Sequence, residues 1–141
     1  MPISFQTQAI KYSLASKLLV RRWINEVISA EKKIPGTLNF LFTSDEELLR
    51  MNNLYLAHNT YTDIITFDSG ANGRVEGDIV ISVDRVRDNA KKFNQEFGEE
   101  MHRVIIHGVL HLCGYKDKTM VQKKEMRKKE NAALKRLSKM A

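Results

Sequence analysis

The sequence predicts a small α+β protein, with a mixed sheet of about four strands surrounded by about five helices. The 141 residues suit one domain, which we place at residues 1–141. Apolar residues alternate with polar ones in short segments and recur at helical spacing in longer ones. The segments follow one another as β-α-β-α-β-β-α-α-α, which lacks the regular alternation of a doubly wound fold. Strand order does not follow from these patterns.

The first half of the chain contains three strands and two helices. We predict them at Ile3–Thr7, about Leu14 to Ala30, Thr37–Thr43, Ser44 to about Ala57, and Ile64–Phe67. Pro35 and Gly36 are predicted to break the chain before the second strand. Ser44 followed by Glu47 is the pattern of a capping box, so the second helix is expected to begin there.

The second half contains a loop with the sequence DSGANG, one strand and three helices. We predict the strand and the helices at Gly77–Val83, Asp84 to about Phe97, Gly98 to Gly114, and Met120 to about Lys139. Asp84 and Thr119 are expected to cap helices, because their side chains accept hydrogen bonds from free backbone N–H groups. Gly98 is predicted to separate two helices, and Gly114 suits a left-handed helix end.

Composition excludes several classes of protein. With 43% hydrophobic residues the chain is not expected to be disordered. No apolar run approaches the ~20 residues of a membrane span. The first residues, MPISFQTQAIKYS, lack the charged head and apolar centre of a signal peptide. The one cysteine, Cys113, cannot form an internal disulfide. We therefore expect a cytoplasmic protein that does not contact a membrane.

Positive charge is concentrated in the last segment of the chain. Residues 116–141 hold ten Lys and Arg against three Asp and Glu, a charge of +7, which leaves −1 for residues 1–115. A basic face on a nearly neutral body is typical of a polyanion binder, although a solvated, Lys-rich helix has the same composition. If the partner is single-stranded RNA, the candidate phosphate contacts are Lys123, Lys124, Arg127 and Lys128.

Two histidines four residues apart, His107 and His111, lie in the predicted helix with the sequence IIHGVLHLCGY. Residues at this spacing share one helix face, so both imidazoles can bind one metal ion. Asp117 is the nearest carboxylate downstream of the helix. Two histidines and one carboxylate with an open position for water form a catalytic zinc site, in which the bound water becomes acidic. The alternatives are unrelated core histidines and a surface acid.

Neighbouring residues limit this interpretation. The spacing resembles the H-E-x-x-H of zinc proteases, but Gly108 stands where the general base would be. Cys113 lies near the opposite helix face and is read as a core residue. His102 lies off the ligand face, and His58 is read as a surface histidine. Arg103 shares the ligand face; it is the one catalytic candidate besides the zinc-bound water, and pairing with a local acid is the favoured alternative.

The segment HGVLHLCGYKD (His107–Asp117) resembles the H-G-x-L-H-L-x-G-Y-D-H signature of the YbeY family of endoribonucleases. TYTDIITF (Thr60–Phe67) resembles the family segment P-T-D-V-L-S-F, and GDIVIS (Gly77–Ser82) resembles its G-D-I-x-I-S strand. The resemblance implies a single-strand-specific, zinc-dependent endoribonuclease with a small mixed sheet. It also implies a role in maturing the 3′ end of 16S ribosomal RNA and in ribosome quality control.

The resemblance also assigns the metal ligands. The first two signature histidines fall on His107 and His111, the third falls on Asp117, and the signature aspartate falls on Lys116. A carboxylate remains a competent zinc ligand. Leu56 stands where the family has an arginine, so the role of that arginine is vacant or moved.

Several alternatives stay open from the sequence. A metal-dependent hydrolase of a peptide or a small molecule would keep the three ligands but give the basic segment no role. A non-catalytic, ribosome-associated metal module would be expected to have four ligands. Water and the RNA 2′-hydroxyl are both possible nucleophiles, and no residue is assigned as general base. Candidate stacking aromatics are Tyr55, Tyr61 and Tyr115. The oligomeric state is not predicted.

Overall fold

The structure, a computed structural model, describes residues 2–56 and 62–141. Those residues form four strands: β1 (Ile3–Thr7), β2 (Ile34–Thr43), β3 (Ile64–Asp68) and β4 (Arg74–Ser82). They also form five helices: α1 (Lys17–Ala30), α2 (Asp45–Leu56), α3 (Val83–Lys92), α4 (Phe97–Leu112) and α5 (Met120–Met140). The elements follow one another as predicted, and the α+β fold class is confirmed. None of the helices in these residues is both long and apolar enough to cross a bilayer.

The strands form one mixed sheet in the order β1-β2-β4-β3. β1 pairs with β2 and β2 with β4 in parallel, whereas β3 pairs with β4 in antiparallel fashion. The loop between β3 and β4 is short enough to join antiparallel neighbours, while the parallel pairs are joined through helices. The β3–β4 hairpin therefore occupies the sheet edge opposite β1.

The two faces of the sheet are covered unequally. Ile79 and Ile81 of β4 point into the main core, which also contains Trp23 of α1 and much of α4. Val80, between them, points to the other face and packs with Leu48 of α2 in a smaller cluster. This alternation follows from the period of two in a strand. The main core thus fixes α4, the helix with the two histidines, against the sheet.

Gly108 allows α4 to approach the sheet closely. A Cβ atom at this position would lie 2.7 Å from Cδ1 of Ile64 and 3.1 Å from Cγ2 of Ile79. A larger side chain would require Ile64 and Ile79 to move, or the helix to shift away from β3 and β4. The glycine that replaces the general base of a zinc protease is therefore a packing residue in this fold.

Three predicted boundaries in the sheet region are wrong. β2 begins at Ile34 and includes Pro35 and Gly36, because a register irregularity between Pro35 and Leu38 accommodates the missing N–H. β4 begins at Arg74, before the predicted Gly77, since it pairs with the start of β2. The N-cap of α3 is Ser82, whose hydroxyl accepts from the Arg85 N–H, and Asp84 lies in the first turn.

The predicted ends of three helices also differ. α1 begins at Lys17, three residues after Leu14, because Ser16 is left-handed with φ of 57°. α3 ends at Lys92, well before Phe97, and Asn94 takes a left-handed φ of 55°. Gly98 does not interrupt a helix, since it lies in the first turn of α4. The predicted end of α2 at Ala57 lies outside the described residues.

Three predicted capping residues are confirmed. The Glu47 N–H donates to the Ser44 hydroxyl over 3.2 Å at the start of α2. At the start of α5, Thr119 and Gln122 form a complete capping box. Gly114 follows the end of α4 with a φ of 112°, and its N–H donates to the His111 carbonyl over 3.0 Å. This left-handed turn redirects the chain after the second histidine.

Candidate metal centre

His107 and His111 lie one turn apart on α4, at the border between the buried face of the helix and its exposed face. Their ring centroids are 4.6 Å apart and the rings are nearly perpendicular. Both side chains are half-buried, whereas Ile106, Val109 and Leu110 on the remaining face are buried. The helical period therefore presents the two imidazoles together at the surface of the helix.

Asp117 returns to the two imidazoles after the Gly114 turn. One carboxylate oxygen lies 3.3 Å from Nε2 of His107, and the other lies 3.5 Å from Nε2 of His111. A tetrahedral ion with bonds of about 2.0–2.1 Å has ligand atoms about 3.3–3.4 Å apart. One donor atom from each residue lies within 4.8 Å of the others. The two distances between histidine nitrogens and Asp117 oxygens are therefore close to those of a small tetrahedral metal site.

The second nitrogen of each imidazole has a partner that fixes its orientation. Nδ1 of His111 donates to the Tyr115 carbonyl over 2.9 Å, and Nδ1 of His107 lies 2.6 Å from a carboxylate oxygen of Glu130. A carbonyl oxygen only accepts, and so does a carboxylate, so each Nδ1 carries the proton. Nε2 of each ring lies on the side of Asp117 and is the nitrogen that could bind a metal ion, as in metal-binding histidines whose other nitrogen is hydrogen-bonded.

Glu130 is a buried acid that was not identified from the sequence. It lies on α5 with 5% of its surface exposed and also accepts from Nη1 of Arg103 over 2.9 Å. Burial opposes its charge, but the hydrogen bonds from His107 and Arg103 outweigh burial and hold its pKa below the usual value. Glu130 shares the helical spacing of Met126 and Ala133, which are buried on the same face of α5. This spacing could have identified Glu130 as a buried acid from the sequence.

The charge of Glu130 acts in turn on His107. Burial disfavours the imidazolium, but the Glu130 hydrogen bond and the charges of Glu130 and Asp117 outweigh it and raise the pKa of His107. The same negative charges favour a cation beside the ring. The pocket is therefore electrostatically suited to a metal ion.

The remaining predicted residues occupy different places. Arg103 is paired with Glu130, the interaction favoured above, and also donates to the Asn131 side chain. His102 lies edge-on against Trp23, and Cys113 is buried in the core, as expected. His58 and Tyr61 lie outside the described residues. The Tyr115 hydroxyl donates to Glu31, and exposed Tyr55 contacts Phe67.

A cleft of about 430 Å³ is lined by two of the three candidate ligands. Its lining includes His107 and Asp117, Asp63 from the chain before β3, and two of the four predicted basic residues, Lys123 and Arg127. Lys124 and Lys128 are exposed on α5 but are not among the residues that line it. Asp63 was not identified as a cleft residue from the sequence. Burial raises the pKa of its carboxyl, and His107 opposes that shift.

The chain is similar to known proteins over nearly its whole length. A family model described as Endoribonuclease YbeY matches residues 2–138. The chain belongs to the YbeY family. An Endoribonuclease YbeY of Cytophaga hutchinsonii is 49% identical over 133 residues, covering 94% of this chain and 93% of the relative. That of Phocaeicola vulgatus is 46% identical over 132 residues, covering 94% and 96%.

A solved structure has the same fold. The solution structure of a Thermotoga maritima protein superposes with a TM-score of 0.65 at 27% identity, covering 96% of this chain and 88% of that one. The YbeY resemblance drawn from the signature segment is thus confirmed at the level of the family. Within the signature stated above, this chain departs at two positions: Lys116 replaces the aspartate and Asp117 replaces the third histidine.

Proposed function

We propose that this protein is a zinc-dependent endoribonuclease that cleaves single-stranded RNA. In the cell it would mature the 3′ end of 16S ribosomal RNA and contribute to ribosome quality control in the cytoplasm. The observation that carries the proposal is the convergence of His107, His111 and Asp117 beside a cleft with the basic side chains Lys123 and Arg127. Membership of a family of endoribonucleases supports RNA over a peptide as the substrate.

The donor set fits one zinc ion per chain. Two imidazoles and one carboxylate, with distances of 3.3 and 3.5 Å between their donor atoms, would leave one position of a tetrahedral zinc ion for water, as catalytic zinc sites do. A bound ion of this kind supplies an acidified water and a Lewis acid for a phosphoryl oxygen. His107 and His111 would bind the ion through Nε2, and Asp117 would bind it through a carboxylate oxygen and contribute negative charge.

The remaining residues hold the ligands and the substrate. Glu130 and the Tyr115 carbonyl orient the two imidazole rings through their Nδ1 atoms, which leaves Nε2 of each ring to bind the ion. Lys123 and Arg127 are positioned to neutralise phosphates of the RNA backbone, which contributes affinity without sequence preference. Arg103 is engaged with Glu130, so we assign it to positioning.

The test combines metal analysis with RNA cleavage. We expect about one zinc per chain and cleavage of a single-stranded RNA that stops with chelator and returns with added zinc. A duplex of the same sequence and an unstructured peptide should remain intact. His107→Ala and His111→Ala should lose both metal and cleavage while the far-UV CD spectrum is unchanged. Folded variants that retain full zinc and activity would contradict the site.

The cellular part of the proposal needs a separate measurement. Cells that lack the protein should accumulate 16S ribosomal RNA with an extended 3′ end, and the wild-type gene should restore the mature end. The His111→Ala gene, expressed at the same level, should not restore it. Normal 3′ ends in the deletion strain would contradict a role in 16S maturation. They would not contradict a nuclease activity measured with the purified protein.

A further inference from the structure

We propose that Phe93 forms a base-stacking subsite of the cleft, which receives an unpaired nucleobase of the RNA next to the metal centre. This inference rests on the proposed function and specifies how the substrate is held. Phe93 is not one of the aromatic residues to which the sequence drew attention. It lines the cleft together with His107 and Asp117, so a base on its ring belongs to the same substrate strand.

The exposure of Phe93 is the first observation. The ring is 55% exposed, although the chain has a large core in which an aromatic side chain gains more by burial. Exposed aromatic rings provide stacking platforms for unpaired bases, because every base has a π-face. A base in a duplex is already stacked and paired, so this contact selects single strands.

The backbone that carries the ring is well anchored. Phe93 is the C-cap of α3, and its N–H donates to the Asn89 carbonyl over 2.9 Å. The following turn is fixed by the Gln95 N–H, which donates to the Ala90 carbonyl over 2.8 Å. Ala90 is buried, so the end of the helix is anchored in the protein. Stacking of a base on Phe93 therefore requires no ordering of this backbone, which lowers the entropic cost of binding.

Charge around the ring supports the same subsite. Nζ of Lys92 lies 5.7 Å from the centroid of the Phe93 ring. Lys123 and Arg127 of α5 line the same cleft. A nucleotide stacked on Phe93 therefore has cations available for its phosphate groups, on α3 as well as on α5. Aromatic stacking combined with a cationic groove is the recognition mode of single-stranded nucleic acid.

The test measures binding of a short single-stranded RNA analogue that resists cleavage, with 2′-O-methyl sugars and phosphorothioate linkages, to the zinc-loaded protein. Phe93→Ala should weaken binding by about 5- to 150-fold, the range for loss of one stacked base. Phe93→Trp should bind at least as tightly as wild type. The dependence of affinity on salt should not change, because no charge is removed. Zinc content should also stay the same.

Tyr55→Ala is the matched control. Tyr55 was a stacking candidate from the sequence, but the structure places it in the lining of a different cavity, beside Phe67 and Asn39, and not in the cleft of His107 and Asp117; its exposure, 62%, is similar to that of Phe93. Its removal should leave the affinity unchanged. In cleavage assays, Phe93→Ala should raise KM and leave kcat near wild type, because the ring does not contact the reacting atoms.

A single abasic nucleotide moved along the RNA identifies the stacked position. Wild type should lose affinity at one position, and Phe93→Ala should show no further loss there. Equal affinity of Phe93→Ala and wild type, or equal loss with Tyr55→Ala, would overturn the subsite. If the subsite is overturned but wild type still cleaves RNA, the proposed function is supported and only the stacking role of Phe93 is wrong. A wild-type protein that neither binds nor cleaves RNA would overturn both.

Discussion

Glu130 on α5 holds Nδ1 of His107 on α4 over 2.6 Å, and so ties the basic helix to the helix that carries both histidines. The same carboxylate accepts from Arg103 over 2.9 Å. One buried acid thus orients a candidate metal ligand, compensates a cation and places Lys123 and Arg127 at the cleft. We therefore expect metal affinity and RNA binding to depend on each other through the position of this helix.

Removal of the Glu130 charge is expected to weaken metal binding. Glu130→Gln keeps the shape of the side chain but gives His107 a weaker, neutral partner. We expect zinc affinity to fall by about 10- to 100-fold, the usual effect of losing such a partner. Competition with a chromogenic chelator measures the change.

Glu125→Gln serves as the control for this substitution. It removes the same charge from the same helix at an exposed position, so zinc affinity should match that of wild type. Equal affinities for the two variants would show that the hydrogen bond to His107 does not support the metal.

Asp117 is expected to be the third ligand. Its oxygens lie 3.3 and 3.5 Å from the two Nε2 atoms, so Asp117→Ala should lose most zinc and most activity. Asp117→His should keep zinc. The increase of its activity with pH should begin at a lower pH than in wild type, because a neutral ligand leaves the ion more electrophilic and its bound water more acidic. Asp117→Asn should be intermediate. Full zinc occupancy and normal cleavage in the Ala variant would exclude Asp117 from the site.

The basic residues of α5 should contribute unequally to RNA binding. Lys123 and Arg127 line the cleft, whereas Lys124 and Lys128 are exposed outside its lining. The double variant Lys123→Gln/Arg127→Gln should therefore lose more affinity than Lys124→Gln/Lys128→Gln, which removes the same charge. The slope of log affinity against log salt should fall by about 0.7 for each RNA phosphate that is no longer neutralised. Equal losses would indicate a diffuse electrostatic effect of the whole helix.

Cys113 should be an unreactive core thiol. Burial raises its pKa to about 11, so at about pH 8 only about one molecule in a thousand carries a thiolate. Reaction with Ellman's reagent should be slow in the folded protein and fast in denaturant. The raised pKa also contributes stability that is present below the pKa of the unfolded thiol and lost as the pH rises towards 11. Cys113→Ala should retain zinc. Loss of zinc from a folded Cys113→Ala variant would show that the thiol is a metal ligand.

The order of the elements and the ligand spacing could be predicted from local patterns in the sequence. Alternation and helical periodicity depend on neighbours within about two turns, so they identified the helices and strands and placed His107 and His111 on one face. Gly114 indicated the left-handed turn that brings Asp117 back, since few other residues tolerate that conformation. The family signature lies within this same segment.

The order of the strands, the partner of His107 and the cleft were decided by the tertiary structure alone. Pro35 lies inside β2 because a strand far along the chain pairs beside it, and no local pattern records that pairing. Glu130 is 23 residues from His107, and only the packing of α5 on α4 brings them together. Phe93 and Lys123 line one cleft for the same reason. Local propensities fix which elements form, whereas burial of their apolar faces against one another decides which distant side chains meet.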